Sequence, residues 1–242
     1  MRLTTDLITS SLSYLNPLKE RELDLRGHKI PAIENLGVAK DHDAIDFTDN
    51  DIQILGNFPL SPRLRTLLLA RNRISGILST LPKTVPNLRV LIMNSNSIQE
   101  LADLDPLAGC VGLTHLVLMD NPVTRKENYR HYLIWRCPSI RFLDYQRVKD
   151  IERKHATELF GTIDDPSPLA AKIMGIKSRT FDLGPSTSSR EKEFTTRLTD
   201  EERKILEARI KNAKSLDEVA RLEKELREGV LVIGGGGDAM EE

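Results

Sequence analysis

An α/β solenoid, in which short parallel strands stack into a curved sheet, is predicted by three observations. Residues 64–74 place leucine or isoleucine at Leu64, Leu67, Leu69 and Ile74 and an asparagine at Asn72. This is the frame of a leucine-rich repeat. The same frame recurs with its asparagine slot at residues 28, 50, 72, 96 and 121, in steps of 22, 22, 24 and 25. Both flanks then carry amphipathic segments without the frame. One repeat cannot bury its own apolar face, so repeats stack and the ends need covering. The expected architecture is a leucine-rich-repeat solenoid of five core repeats with N- and C-terminal caps.

The cap at the start is expected as a helix over residues 3–15, with Leu3, Leu7, Ile8, Leu12 and Leu15 at helical spacing and Thr4 or Thr5 as N-cap. The repeat motifs follow at 23–30, 45–52, 67–74, 91–98 and 116–123. His28 takes the asparagine slot of the first. Within each L-x-L core, alternation sends Leu67 and Leu69 inward and Leu68 and Ala70 to the concave face. The segments between motifs are short and broken by Pro and Gly. They are expected as 3₁₀ or single helical turns.

Residues 128–138 read as a helix with a bulky face of Tyr129, Tyr132, Leu133 and Trp135, stopped by Pro138. Ile140 and Leu143 supply a last strand-like edge. Residues 146–160 read as a charged helix packing through Val148, Ile151, Ala156 and Leu159. The capped domain is thus expected over 1–163. Its composition shifts near Gly161 to Pro, Gly and Ser, which predicts an extended linker over 164–198. Capping boxes at Thr199–Glu202 and Ser215–Glu218 mark two short helices within 199–228. Residues 229–242 read as a flexible Gly-rich acidic tail.

Composition removes several functions. With 35 Lys and Arg against 36 Asp and Glu, net charge is −1, so nothing global drives the chain onto nucleic acid or membrane. The start is too polar for a signal peptide, and no apolar run approaches the roughly 20 residues of a membrane helix. Cys110 and Cys137 read as a reduced pair. The five histidines and two cysteines show no metal-ligand spacing. No nucleophile elbow, Walker loop or zinc-protease motif occurs. Asp24 and Asp46 fall on adjacent strands, but an open face does not desolvate them for acid–base work. No enzyme and no cofactor is expected.

The concave face is more informative. Its outward positions are Asp24 and Arg26, Asp46 and Thr48, Leu68 and Ala70, Ile92 and Asn94, and Val117 and Met119, extended by Val90 and His115. It is polar over two repeats and apolar over three. Either these side chains merely pack on one another or, the favoured reading because a contiguous apolar patch marks a contact surface, they form a groove for an amphipathic helix of another protein. Arg26 projects beside two aspartates. It either forms a local salt bridge or reaches a phosphate or base.

The runs Leu23-Asp24-Leu25-Arg26-Gly27, Ile33-Glu34-Asn35-Leu36-Gly37, Asp43-Ala44-Ile45-Asp46-Phe47, Asp103-Leu104-Asp105-Pro106-Leu107-Ala108 and Asn121-Pro122-Val123-Thr124 carry a closer likeness. Residues 1 to about 160 resemble the A-prime family of the U2 small nuclear ribonucleoprotein. The resemblance implies a non-catalytic nuclear scaffold of pre-mRNA splicing. Its concave face would seat a helix of the RNA-recognition-motif partner, the B-double-prime protein. The pair would then bind a stem-loop of U2 snRNA, with Arg26 near RNA and Lys29 a weaker candidate. Other spliceosomal proteins could meet residues 164–228. Departures are His28, where an aromatic is usual, and a less basic region after Gly161. The alternative reading is a generic leucine-rich-repeat adaptor of the phosphatase-regulatory or chromatin-associated kind.

Overall fold

The computed structural model describes residues 1–163 and 165–178. One sheet of eight strands organises them. β1 (Ser13–Leu15) lies antiparallel on β2 (Arg21–Asp24). β3 (Ala44–Asp46) follows in parallel. On the convex side, β4 (Ile54–Leu55) and β6 (Gly76–Ile77) form a separate parallel pair. In the main sheet β5 (Thr66–Leu68), β7 (Val90–Ile92), β8 (His115–Val117) and β9 (Phe142–Leu143) continue the parallel run, and β10 (Gln146–Arg147) closes it antiparallel.

The register aligns the repeats. Leu23, Ile45, Leu67, Leu91, Leu116 and Leu143 form one inward row, each at most 2% exposed. Two residues on, Leu25, Phe47, Leu69, Met93 and Leu118 form a second buried row. Each such side chain contributes about 1.5–3 kcal/mol by leaving water. The convex connections are short, as expected: 3₁₀ turns at Leu36–Ala39 and Leu101–Gly109, and a single turn α2 (Leu81–Thr84).

The asparagines lock neighbouring repeats together. Asn96 accepts the Ile74 backbone N–H through Oδ1 at 2.9 Å, and its Nδ2 donates to the carbonyls of Leu69 at 2.9 Å and Met93 at 3.0 Å. Asn50, Asn72 and Asn121 repeat the arrangement, and all four are buried. The residue before each slot is left-handed: Gly27, Asp49, Arg71, Ser95 and Asp120. That single positive φ turns the chain so that the next side chain points inward. His28 stands half-exposed outside this ladder. At the far end Asp144 takes over, its Oδ1 accepting the Leu118 N–H at 2.7 Å.

The N-terminal cap differs from the expected helix over 3–15. The helix α1 runs only Thr5–Ser10, with Thr4 as N-cap. Leu3 and Ile8 are buried in the core, whereas Leu12 and Leu15 are exposed. The chain turns extended at Ser11 because β2 offers an open strand edge, and pairing with it satisfies backbone groups that a longer helix would leave unused.

At the C-terminal end, α3 (Tyr129–Arg136) and α4 (Asp150–Phe160) cover the last repeat. Tyr132, Trp135 and Phe160 meet with ring centroids 5.4–5.8 Å apart. The Tyr132 hydroxyl donates to Asp105 at 2.6 Å, and the Trp135 indole N–H donates to the Gly161 carbonyl at 2.9 Å. The stripe expected on α4 is corrected. Ile151 is 77% exposed and Val148 precedes the helix, while Phe160 is buried with Ala156. Residues 146 and 147 are strand, not helix. Cys110 and Cys137 are free and buried; burial pushes the thiols up to about 11 and about 12.

The expected start of the linker is also corrected. Gly161, with φ of 77°, reverses the chain; a Cβ there would lie 2.6 Å from the Asp165 carbonyl oxygen. A further helix, α5 (Pro168–Met174), follows behind a Ser167 N-cap and buries Ala170. The folded unit therefore passes residue 163. The remainder of the expected linker, the helices within 199–228 and the tail over 229–242 lie outside the described residues.

Replacing Asn96 with alanine is expected to cost about 3 kcal/mol, because the Ile74 N–H and facing carbonyls stay buried without partners. Urea denaturation of Asn96→Ala against wild type measures this; a loss below about 1 kcal/mol would show that water replaces the amide.

Candidate functional site

The concave face is a grid set by strand register. One row runs Glu22, Ala44, Thr66, Val90, His115, Phe142. The next outward row runs Asp24, Asp46, Leu68, Ile92, Val117. Beyond the strand ends come Arg26, Thr48, Ala70, Asn94 and Met119.

The first repeats fill their part of the grid with an internal polar network. Tyr14 donates its hydroxyl to Glu22 at 2.8 Å, and Asn16 donates to the other Glu22 oxygen at 2.9 Å. Glu20 reaches past β3 to accept the Thr66 hydroxyl at 3.0 Å. Glu22, Ala44 and Thr66 are buried as a result.

Arg26 is held by carboxylates. Its Nε and Nη2 donate to Asp24 at 2.9 and 2.5 Å, and Nε lies 3.6 Å from Asp46. Its side chain is still 54% exposed. Hydrogen bonding to Arg26 holds the Asp24 carboxyl below its usual range, and the same pairing raises the Arg26 guanidinium. Of the two readings of Arg26, the geometry shows the local salt bridge. Lys29 is exposed in a left-handed turn. Its carbonyl accepts the N-terminal ammonium at 2.7 Å.

Two expected surface positions are corrected. Asp46 is only 6% exposed; its Oδ1 accepts the Thr48 N–H at 2.8 Å, and Arg26 lies over it. Val117 is 4% exposed, so it lines the floor of the groove and not its surface. Thr48, Leu68, Ala70, Val90, Ile92 and Asn94 are half-buried, and Asp24 is half-buried under its ion pair. His115 is exposed, and Met119 is 43% exposed. Leu68, Ala70, Val90, Ile92 and Met119 therefore make the accessible apolar strip.

Phe142 bounds that strip and was missed by the repeat count. Its ring stacks on His115 with centroids 4.8 Å apart and planes 10° from parallel. The signal was present: Leu143 continues the inward leucine row, which puts Phe142 beside His115.

The basic residues at the C-terminal cap are partly structural. Arg130 pairs with Glu152 at 2.6 Å and donates to the carbonyls of Leu143 and Arg147. Arg153 donates to the carbonyls of Pro138 and Ile140. Among the described residues no three His, Cys, Asp or Glu side chains gather where they could hold a metal ion. No described helix is long and apolar enough to cross a membrane.

Fold and face together define a capped leucine-rich-repeat protein with an open concave sheet. The leucine-rich repeat family model matches residues 1–173. The U2 small nuclear ribonucleoprotein A' of Neurospora crassa is 63% identical, with 100% of both chains covered. The human protein of that name is 44% identical over 95% of this chain and 89% of its own length. A crystal structure of the Drosophila melanogaster SNF/U2A' complex superposes with a TM-score of 0.65 at 48% identity, covering 68% of this chain and 95% of that one. The chain belongs to the U2 small nuclear ribonucleoprotein A' family, a family of splicing-particle components.

Removing the guanidinium in Arg26→Ala is expected to let the Asp24 carboxyl titrate at higher pH. A depressed carboxyl stabilises the fold above its unfolded pKa and loses that contribution as pH falls through the folded value, below about 4. The stability effect is small because the pair is half-exposed. Carboxyl-detected NMR titration of both proteins reads the shift; an unchanged Asp24 curve would place its stabilisation in the backbone N–H of residue 26 instead.

Proposed function

We propose that the chain is a non-catalytic scaffold of the U2 particle in the nucleus. Its concave face grips a helix of an RNA-recognition-motif partner of the B-double-prime kind, and the two together hold a stem-loop of U2 snRNA. One observation carries the reading: the strip Leu68, Ala70, Val90, Ile92 and Met119 is apolar, reachable from solvent and bounded at both ends. The Glu20–Thr66 and Glu22 network bounds one end, and the His115–Phe142 stack bounds the other. A helix with apolar anchors at i, i+3, i+4 and i+7 fits such a strip. The fly relative was solved in a complex with SNF, which supports a protein partner. Arg26 lies at the polar end with its side chain 54% exposed, which supports a role for it near RNA held by the partner, with Lys29 the weaker candidate.

Leu68 and Ile92 lie on the outer face of their strands, so a charge there can stay hydrated in the free protein. Leu68→Glu and Ile92→Glu are each expected to weaken partner binding at least 100-fold, while thermal unfolding shifts by no more than a few degrees. Titration calorimetry with the purified RNA-recognition domain measures the first and circular dichroism the second. Retained affinity would exclude the strip as the docking site. In the same assay Val117→Ala should act mainly on stability, because Val117 is buried.

A further inference from the structure

The two rims of the sheet are chemically unlike. Arg26 and Lys29 lie at the rim where the strands end. At the opposite rim, where the strands begin, successive repeats place Arg21, Asp43, Arg65, Arg89, Thr114 and Arg141 side by side. Backbone hydrogen bonds link them in that order. The Asp43 N–H donates to the Arg21 carbonyl at 2.9 Å, Arg65 to Asp43 at 2.8 Å, Arg89 to Arg65 at 2.8 Å, Thr114 to Arg89 at 2.9 Å, and Arg141 to Thr114 at 2.8 Å.

Asp43 is the one carboxylate in this row, and it is already engaged. It faces Arg63 at 3.3 Å and accepts the Arg21 N–H at 3.2 Å. Arg65, Arg89 and Arg141 are exposed. Among the described residues they form no ion pair. Neighbouring strands stand about 4.8 Å apart, so Arg65 and Arg89 are one strand apart and Arg89 and Arg141 are two. Among the described residues these are three exposed guanidinium groups without a carboxylate partner, whose backbone positions are fixed by the sheet, and their like charges favour an anion lying across them.

We infer that Arg65, Arg89 and Arg141 form a phosphate-binding rim for an RNA strand. The row follows the rim of the curved sheet and its backbone spacing is set by hydrogen bonds, so it suits a polyanion with regularly repeated charge. Guanidinium groups bind phosphate oxygens in pairs. At its end Arg141 opens onto a cleft of about 390 Å³ that it lines with Phe142, Arg147, Val148, Asp150 and Arg153. The exposed part of Phe142 there offers a surface on which an unpaired base stacks. The inference takes its ligand class from the proposed ribonucleoprotein role. It adds a contact surface on the rim opposite Arg26.

The test uses the full chain without any partner. A fluorescein-labelled 15-nucleotide oligouridylate is titrated by anisotropy from about 50 to 200 mM salt, the range over which phosphate contacts weaken steeply. Wild type should bind at the low end. The triple variant Arg65→Gln, Arg89→Gln, Arg141→Gln should lose at least tenfold, and its slope of log affinity against log salt should flatten by about 2 for three lost phosphates. The triple Arg→Lys variant should keep most of that slope. Phe142→Ala should lose affinity with the slope unchanged. The inference is overturned if wild type does not bind, if the glutamine variant binds as wild type, or if labelled polyglutamate binds the rim as tightly as the RNA. The last result would assign the rim to an acidic protein segment. Circular dichroism confirms that each variant is folded. Because no partner protein is present, the outcome is independent of the calorimetry on Leu68 and Ile92.

Discussion

The buried asparagine amide is the constraint on which the rest of the structure depends. Every repeat must turn away from the sheet immediately after two or three strand residues, and the turn strands backbone groups in a region closed to water. Asn50, Asn72, Asn96 and Asn121 each answer an N–H of the preceding repeat while donating to carbonyls of their own and the preceding repeat. The bond that closes one turn therefore also sets the position of the next. Without it the strand ladders would remain, but the turn after each strand would leave backbone groups buried without partners. The concave grid exists because the register is exact to the residue: a one-residue slip would exchange Leu67 for Leu68 and turn the core out.

Much of this was legible in the sequence, because the repeat restates its pattern five times. Periodicity placed the five parallel strands, the inward leucines, the short convex turns and the apolar change beginning at Leu68. The ends were less legible. Residues 3–15 have helical spacing throughout, yet an unpaired strand edge at β2 competes for residues 13–15 and wins. That competition is tertiary and leaves no local mark on Leu12 or Leu15. Ile151 looked like a packing residue by spacing, but α4 turns Ala156 and Phe160 inward, and Phe160 meets Tyr132 and Trp135. In the same way Pro166 and Pro168 suggested a linker, whereas Pro168 occupies the first turn of α5, where its missing N–H costs nothing.

The face itself was half legible. Alternation correctly separates inward from outward positions, but it does not say what lies over an outward residue. Asp46 is outward and buried, with the Arg26 side chain that pairs with Asp24 lying 3.6 Å from its carboxylate. Glu22, Ala44 and Thr66 are outward and buried, because residues 14–20 fold over them. Such covering depends on side chains from a neighbouring repeat or cap, with no fixed spacing to reveal it. Phe142 is the opposite case: its exposure and stacking follow from treating Leu143 as a sixth member of the leucine row.

The bond from Thr66 to Glu20 spans two strands and belongs to a loop preceding the first repeat. It has a consequence for assembly. A groove open at both ends would let an inserted helix slide along it or enter in either direction at little cost. Here one end is walled by the Thr66 hydroxyl and the carboxylates of Glu20 and Glu22, while the other ends in the His115–Phe142 pair. The groove therefore has a head and a foot. A helix docked there would meet a polar wall at one end and an aromatic one at the other, so its two possible directions would not be equivalent.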